Sequence, residues 1–254
     1  MKHLVSRISI AALVLASLVT TASAQTLSPI QISTKPLGYP LIGPVYQKAS
    51  DTASIAYSKN QTTYTNYITS NVKEGVAFTG IGINQLDPKR LYFLFDYAPR
   101  VYFIYGYAGY IDGLGATIAT VSTPTSGNLT GNTFTIFPDA HWNGNTTRST
   151  TYPVIPGDFV QLPTVKAGQQ LAFFVYSNEN SAGKPANVFY NGKDNNADNF
   201  QHMIAFYPDN SQYIIIGFED IYGGGDQDCN DMMFVVDIGP QNALALKNPN
   251  SLPK

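Results

Sequence analysis

The sequence predicts an all-β protein, an antiparallel β-sandwich of jelly-roll type with a short N-terminal helix or arm. Short runs rich in β-branched and aromatic residues recur along the 254-residue chain, and turn-forming pairs such as Asp112-Gly113 and Asn143-Gly144 separate them. The sequence shows no pattern typical of a long amphipathic helix. Strands rather than helices are therefore expected to enclose the core.

Seven runs are predicted as strands because each is apolar, favours extended backbone and ends at turn formers. In chain order they are Leu91 to Tyr97, Val101 to Tyr107, Thr133 to Phe137, Gln170 to Tyr176, Met203 to Tyr207, Tyr213 to Phe218 and Met232 to Ile238. A short helix is predicted before them, over residues 45–57.

The first residues read as a secretory signal peptide, residues 1–24. Lys2 and Arg7 precede an apolar run, and Ala22-Ser23-Ala24 supplies the small residues of a cleavage site. We expect an extended arm or linker over residues 25–44, a single β-sandwich domain over 45–239 and a loose C-terminal tail over 240–254. No later stretch has the apolar length of a transmembrane segment. The protein is predicted to be exported, and to be secreted rather than periplasmic.

Charge and cysteine content narrow the function classes. Removing Lys2 and Arg7 from the 15 basic residues leaves 13 against 17 acidic residues, a net charge of −4. There is no block of Lys and Arg, so nucleic acid is not expected as a partner. Cys229 is the single cysteine, which excludes an internal disulfide. Its acidic surroundings disfavour the thiolate, so we interpret Cys229 as structural.

Most of the candidate metal ligands in the sequence lie in one acidic loop. Five carboxylates fall within thirteen residues, in a chain in which only 13% of residues are charged. Carboxylates that converge repel one another unless a cation lies among them, and Ca²⁺ accepts six to eight oxygen ligands in irregular geometry. The predicted metal ligands are Glu219, Asp220, Asp226, Asp228, Asn230 and Asp231. The alternative is an ordinary solvated turn, since Gly, Asp and Asn are common turn residues.

The spacing in this loop partly follows a known calcium loop. Asp226, Asp228 and Asn230 occupy alternate positions, as do the first ligands of an EF-hand. The match ends there, because Asp231 replaces the turn glycine and an apolar strand-like run follows it. The three consecutive glycines at 223–225 allow positive φ, so we predict a strand, a ligand loop and a second strand.

The same loop carries a family resemblance. Phe218-Glu219-Asp220 followed by Gly223-Gly224-Gly225-Asp226-x-Asp228-x-Asn230-Asp231 resembles the motif of the secreted bacterial "domain of unknown function 4114" family. Segments upstream, from about Arg90 on, are also similar to that family. The resemblance implies a β-rich exported domain that binds calcium and that often serves as a module of adhesins or cell-surface proteins. Cys229 departs from the pattern, because an aromatic residue is common at that position.

A second oxygen-rich loop holds the secondary metal candidates Asp194, Asn196 and Asp198, again at alternate positions. It could complete the first site or form another. Equally, it could be an Asn-rich turn whose side chains bind their own backbone.

Aromatic residues offer a candidate site for a glycan. Trp142 lies in a loop with Asn143 and Asn145, and Tyr107 and Tyr110 belong to a tyrosine-rich stretch. Exposed aromatic rings stack on the apolar faces of sugars, and amides bind their hydroxyl groups. The alternative is that these rings fill the core or cover a sheet face.

The sequence therefore predicts a secreted calcium-binding module that acts by ligand binding or adhesion, at a glycan or a cell surface. One alternative is an exported glycan hydrolase that uses Glu219, Asp220 or Asp228 as acid, base or nucleophile. Another is a structural protein-interaction module whose N-terminal arm adds a strand to a partner's sheet. No motif of a serine hydrolase or a zinc enzyme occurs in the chain.

Overall fold

The structure is a computed structural model that describes residues 25–31, 35–106, 108–125, 129–178, 184–248 and 250–253. It confirms the all-β class, because ten strands form two antiparallel sheets among these residues. The strands are β1 (Asn84–Leu86), β2 (Arg100–Tyr105), β3 (Gly113–Thr120), β4 (Asn132–Phe137), β5 (Phe159–Gln161), β6 (Gln169–Ser177), β7 (Asn187–Tyr190), β8 (Met203–Tyr207), β9 (Tyr213–Phe218) and β10 (Met232–Asp237). The predicted signal peptide lies outside the described residues.

The larger sheet has six strands in the order β1-β8-β9-β10-β2-β5, and the smaller has four in the order β4-β3-β6-β7. Every pairing within them is antiparallel. Strands β8, β9 and β10 are neighbours in space as well as in sequence. The two-sheet architecture is thus sandwich-like, whereas the jelly-roll connectivity stays a prediction.

The main core lies between the two sheets. Phe234 of β10 packs against Phe137 of β4, with ring centroids 5.4 Å apart, and against Phe103 of β2, at 5.9 Å. All three rings are fully buried. Burial of such large aromatic side chains from facing strands supplies the hydrophobic driving force that holds the sheets together.

Helix α1 (Thr52–Asn71) covers the outer face of the six-stranded sheet. The N-terminal helix is therefore present, but it is longer and begins later than the predicted 45–57. Asp51 caps it by accepting the Ser54 N–H, and the Ser54 hydroxyl accepts the Asp51 N–H. Its buried face is narrow, with Tyr57, Tyr64 and Ile68 packed on the sheet. The other positions are mostly polar or small, which is why the sequence did not predict a long amphipathic helix.

One predicted strand is absent and four observed strands were not predicted. Residues 91–97 do not form a strand, because only Tyr92 and Tyr97 make isolated bridges there. The unpredicted strands are β1, β3, β5 and β7, and of these β3 lies in the interior of the smaller sheet. The small residues of β3 explain why it was not predicted as a strand. A Cβ on Gly115 would lie 2.4 Å from the ring of Phe174, so glycine is required where that ring crosses the strand.

Both ends of the described chain pack against the sandwich. Helix α2 (Pro240–Lys247) lies in the segment that we expected to be a loose tail. Its Asn242 side chain accepts hydrogen bonds from the backbone N–H groups of Leu94 and Phe95, each at 3.0 Å. Near the other end, Leu41 forms a parallel bridge with Thr135 of β4. Part of the N-terminal arm is therefore already paired with this chain's own sheet.

Candidate metal centre

The acidic loop, residues 219–231, joins β9 to β10. These strands pair directly up to Met232 and Phe218, so the loop projects from the end of a hairpin. The glycines at 223–225 all have positive φ, as predicted, and so do the non-glycine residues Gln227 and Cys229. Left-handed residues thus alternate with Asp226, Asp228 and Asn230, which folds the loop tightly onto itself.

The loop carboxylates divide into two groups. Glu219, Asp220 and Asp231 form an inner cluster, and Glu74, Asp226 and Asp228 form an outer cluster. Within each cluster, one carboxylate oxygen per residue lies within 4.8 Å of the others. Each cluster can therefore hold a metal ion, although the sequence predicted a single set of ligands.

The inner cluster is buried and incompletely hydrogen-bonded. Glu219 is 1% exposed and Asp220 is 2% exposed. Asp231 Oδ2 accepts the backbone N–H of Asp220 at 2.9 Å. In contrast, Glu219 Oε2 and Asp220 Oδ2 have no hydrogen-bond partner among the described residues. A buried carboxylate oxygen without a donor is costly, so both oxygens require a proton or a cation.

Glycine allows the inner cluster to be this compact. A Cβ on Gly225 would lie 2.4 Å from Glu219 Oε1, and a Cβ on Gly106 would lie 2.8 Å from the Asp231 carbonyl oxygen. Side chains at these two positions would displace the loop. The third loop glycine therefore does more than turn the chain, since it admits a carboxylate.

Burial and mutual repulsion raise the pKa values of the inner carboxyl groups. Burial, followed by the charge of Asp231, raises the pKa of Glu219 to about 8. The pKa of Asp220 rises to about 9 through burial and the charge of Asp112. Burial and then the charge of Asp220 raise the pKa of Asp231 to about 7. Without a cation, this cluster therefore holds protons at neutral pH.

Asp112 is a neighbour of the inner cluster that the sequence did not indicate. It immediately precedes β3 of the other sheet and is 1% exposed. Its Oδ1 accepts the Asn178 N–H at 2.9 Å, whereas its Oδ2 lacks a partner within the described chain. Burial, partly offset by its contact with the Asp220 carboxyl, raises the pKa of Asp112 to about 7.

The outer cluster is more open and joins two distant segments. Glu74 and Asp226 are exposed, whereas Asp228 is 1% exposed. Asp228 Oδ2 accepts the Gly75 N–H at 2.8 Å and its Oδ1 accepts the Asn230 N–H at 3.0 Å. Glu74 was not predicted from the sequence, because it lies 152 positions before Asp226 and only the fold brings them together.

A buried histidine, His202, holds the start of the acidic loop in place. His202 Nδ1 lies 2.9 Å from the Glu219 carbonyl oxygen, and its Nε2 lies 2.8 Å from Asp198 Oδ2. The same Asp198 oxygen accepts the Gly223 N–H at 2.7 Å. The ring stacks on Phe189 with centroids 3.6 Å apart. This arrangement fixes both ends of the 219–223 segment.

The secondary metal candidates lie in that supporting loop rather than in either cluster. Asn196 Oδ1 accepts the Tyr190 N–H, and its side-chain N–H donates to the Phe200 carbonyl oxygen. Asp198 binds His202 and Gly223, as described above. Asp194 is exposed in a short 3₁₀ turn, Lys193–Asn195. The contacts of Asn196 and Asp198 match the interpretation of a turn whose side chains bind nearby backbone and support it.

Cys229 is buried within the acidic loop. Burial, followed by the charge of Glu219, raises the pKa of its thiol well above the ordinary value. A Cβ on Gly217 would lie 2.4 Å from the Cys229 carbonyl oxygen, so β9 and the loop are in close contact here. The side chain acts as a small apolar residue at this point.

The aromatic candidates are only partly brought together. Trp142 is half-buried and its indole N–H donates to the Asn145 carbonyl oxygen at 2.7 Å. It borders a pocket of about 330 Å³ that Asn143 and Tyr152 also line. Tyr110 is exposed and does not line this pocket. Tyr107 lies outside the described residues.

No helix among the described residues combines the length and apolar character that crossing a membrane requires.

Comparison with known proteins identifies one family. Searches of curated proteins and of solved structures gave no match. Residues 165–239 match the family model described as "Domain of unknown function (DUF4114)". The match includes the whole acidic loop, but neither Glu74 nor Asp112. The chain thus contains a DUF4114 segment, which confirms the family recognised from the loop motif.

Proposed function

We propose that this protein is a secreted, calcium-binding β-sandwich module that acts by binding a ligand at a surface. The observation that carries the proposal is the inner cluster. Its Glu219 and Asp220 oxygens are buried without hydrogen-bond donors, in a loop that also supplies Asp226 and Asp228 to the outer cluster. A bound cation relieves both the repulsion and the unpaired oxygens.

The chemistry of the ligands favours Ca²⁺ over other ions. Both clusters consist of carboxylates, and hard oxygen donors suit Ca²⁺ and Mg²⁺ rather than Zn²⁺ or copper. Mg²⁺ demands near-ideal octahedral geometry and keeps its water, whereas Ca²⁺ tolerates the irregular arrangement of one folded loop. The raised pKa of Cys229 argues against a thiolate ligand.

Thermal unfolding with and without a chelator tests the calcium proposal. At a calcium concentration 100 times the Kd, one bound ion adds about 2.7 kcal/mol of stability and raises Tm by roughly 5–10 °C. Asp209→Asn is the matched control, because Asp209 is exposed in the turn between β8 and β9, at the opposite end of the sheet. An unchanged Tm after complete chelation, together with no calcium uptake in dialysis, would refute the proposal.

For the ligand we propose a glycan that binds at the Trp142 pocket. The pocket combines an aromatic edge with the amide of Asn143, and sugar recognition uses both groups. Screening on immobilised glycans should give binding that Trp142→Ala removes while calcium uptake is retained. Equal binding by wild type and Trp142→Ala would exclude this pocket as the ligand site.

The burial of the loop carboxylates argues against the hydrolase alternative. Glu219, Asp220 and Asp228 are each 1–2% exposed, so a glycosidic bond cannot approach their oxygens without displacement of the loop. Raised pKa values alone suit a general acid, but a general acid must also reach its substrate. Hydrolysis of any glycoside that is lost in Glu219→Gln with the fold retained would reverse this conclusion.

The interaction-module alternative loses part of its premise. It requires the N-terminal arm to be available as an extra strand for a partner. In the structure Ile42 donates its N–H to the Thr135 carbonyl oxygen, and the Thr135 N–H donates to the Pro40 carbonyl oxygen. Residues 40–42 are therefore engaged with β4 of the same chain.

A further inference from the structure

The inner cluster lies where the two sheets approach each other at one end of the sandwich. Asp220 follows β9 of the six-stranded sheet, and Asp112 precedes β3 of the four-stranded sheet. The Ser177 hydroxyl, at the end of β6, donates to the Asp220 carbonyl oxygen. The backbone around Asp112 is fixed as well, since its carbonyl oxygen accepts the Ala140 N–H at 2.7 Å.

Three carboxylate oxygens in this region lack hydrogen-bond donors among the described residues. They are Asp112 Oδ2, Glu219 Oε2 and Asp220 Oδ2, and all three side chains are at least 98% buried. The Asp112 carboxyl contacts the Asp220 carboxyl, although Asp112 is not one of the three inner-cluster residues whose oxygens all lie within 4.8 Å of one another. Two facing buried carboxylates are unfavourable unless something positive lies between them.

We propose that Asp112 is a further ligand of the inner cluster, so that one Ca²⁺ ion binds carboxylates from both sheets and links them. This inference rests on the calcium binding proposed above and adds a ligand from outside the acidic loop. The inner ion acts as a structural link between the sheets. The outer cluster forms a separate site, because its three carboxylates group with one another and not with the inner three.

The link has a consequence for dynamics. With calcium bound, β3 and the acidic loop are held by one ion. With calcium removed, no ion joins the two segments, and this end of the sandwich opens more often. Backbone amides near the start of β3 should therefore exchange faster without calcium, although β3 is far from the acidic loop in sequence.

Calcium stoichiometry of Asp112→Asn tests the inference. Asparagine keeps the shape and the acceptor for the Asn178 N–H but removes the charge. We expect wild type and the control Asp209→Asn to bind two ions. Asp112→Asn should bind one of them at least about tenfold more weakly, because ligand charge sets calcium affinity. If Asp112→Asn binds both ions with unchanged affinity, the link is refuted while the calcium proposal stands. If wild type binds no calcium, the proposed function itself fails.

Hydrogen exchange on wild type gives a second test that does not require the variant to fold. Mass spectrometry should show that calcium slows exchange both in peptides of the acidic loop and in peptides covering residues 108–120. Protection confined to the acidic loop would overturn the link between the sheets. Calcium-dependent protection of both segments, lost in Asp112→Asn, would support it.

Discussion

Asp220→Asn should stabilise the protein in chelator and lose most of that advantage in calcium. The Asp220 side chain is 2% exposed, its Oδ2 has no donor among the described residues, and its carboxyl faces that of Asp112. Asparagine has nearly the same shape, and its side-chain N–H can donate to the unpaired Asp112 oxygen. The backbone bond from Asp220 N–H to Asp231 Oδ2 does not depend on the side chain and is retained.

The size of the stability change that Asp220→Asn causes without calcium follows from proton uptake by the folded protein. The pKa of Asp220 rises from 3.8 to about 9, through burial and then the charge of Asp112. At pH 7 the folded protein must therefore take up a proton that the unfolded chain lacks. This costs about 1.4 kcal/mol for each pH unit above the ordinary pKa, or roughly 4 kcal/mol as an upper limit. Asparagine needs no proton, so the variant should be more stable by about 2–4 kcal/mol in chelator.

With calcium the same change removes a charged ligand. A 100-fold loss of affinity at a calcium concentration 100 times the wild-type Kd removes most of the roughly 2.7 kcal/mol that the ion contributes. The stability advantage that the variant has in chelator should therefore shrink by about 2.3 kcal/mol in calcium.

Urea denaturation at pH 7, in chelator and in excess calcium, measures both values, with Asp209→Asn as the control that should stay within about 0.5 kcal/mol of wild type. An advantage of the variant that is equally large in chelator and in calcium would show that no ion uses Asp220. A variant that is less stable under both would refute the account of the unpaired carboxyl pair.

Three further predictions concern pH, the supporting histidine and the helix. In chelator, the free energy of unfolding should increase as pH is lowered from about 9 to about 5. The reason is that Glu219 and Asp220 have raised pKa values, so the folded state binds more protons than the unfolded chain. Thermal melts that show no such increase would contradict this prediction. His202→Gln should lower the free energy of unfolding in urea by about 2–4 kcal/mol and weaken calcium binding, because the ring's hydrogen bonds to the Glu219 carbonyl oxygen and to Asp198 are lost. Unchanged calcium affinity would contradict the supporting role. Tyr57→Phe should leave stability unchanged or raise it by up to about 1 kcal/mol, because the buried Tyr57 hydroxyl has no partner among the described residues; a clear loss of stability would indicate a partner for that hydroxyl.

The sequence predicted best where the relevant interactions are local. The acidic loop is one short segment between two strongly apolar strands, so its glycines, its carboxylates and its hairpin position could be recognised together. The six residues predicted as ligands all lie in this loop, and five of them belong to the two clusters. The sixth, Asn230, is buried beside the outer cluster and donates its N–H to Asp228.

Long-range contacts explain what the sequence did not predict. Glu74 follows helix α1, and Asp112 precedes β3, and neither stands in a distinctive motif. Only the packing of α1 on one sheet, and of one sheet on the other, brings these carboxylates to the loop. The same limit applies to α1 itself, because its buried stripe of Tyr57, Tyr64 and Ile68 has meaning only opposite the apolar outer face of the larger sheet.

The strained backbone, the unpaired buried oxygens and the crowded carboxylates of the acidic loop have one common explanation. Gln227 and Cys229 adopt left-handed backbone, at about 1–2 kcal/mol each relative to ordinary conformations. Beside them, buried oxygens of Glu219 and Asp220 lack donors, and carboxylates crowd within 4.8 Å of each other. Turn formation alone explains the backbone but not the charges, and charge repulsion alone would open the loop. A cation that binds the carboxylates offsets both, because it stabilises the one backbone conformation that brings those oxygens together.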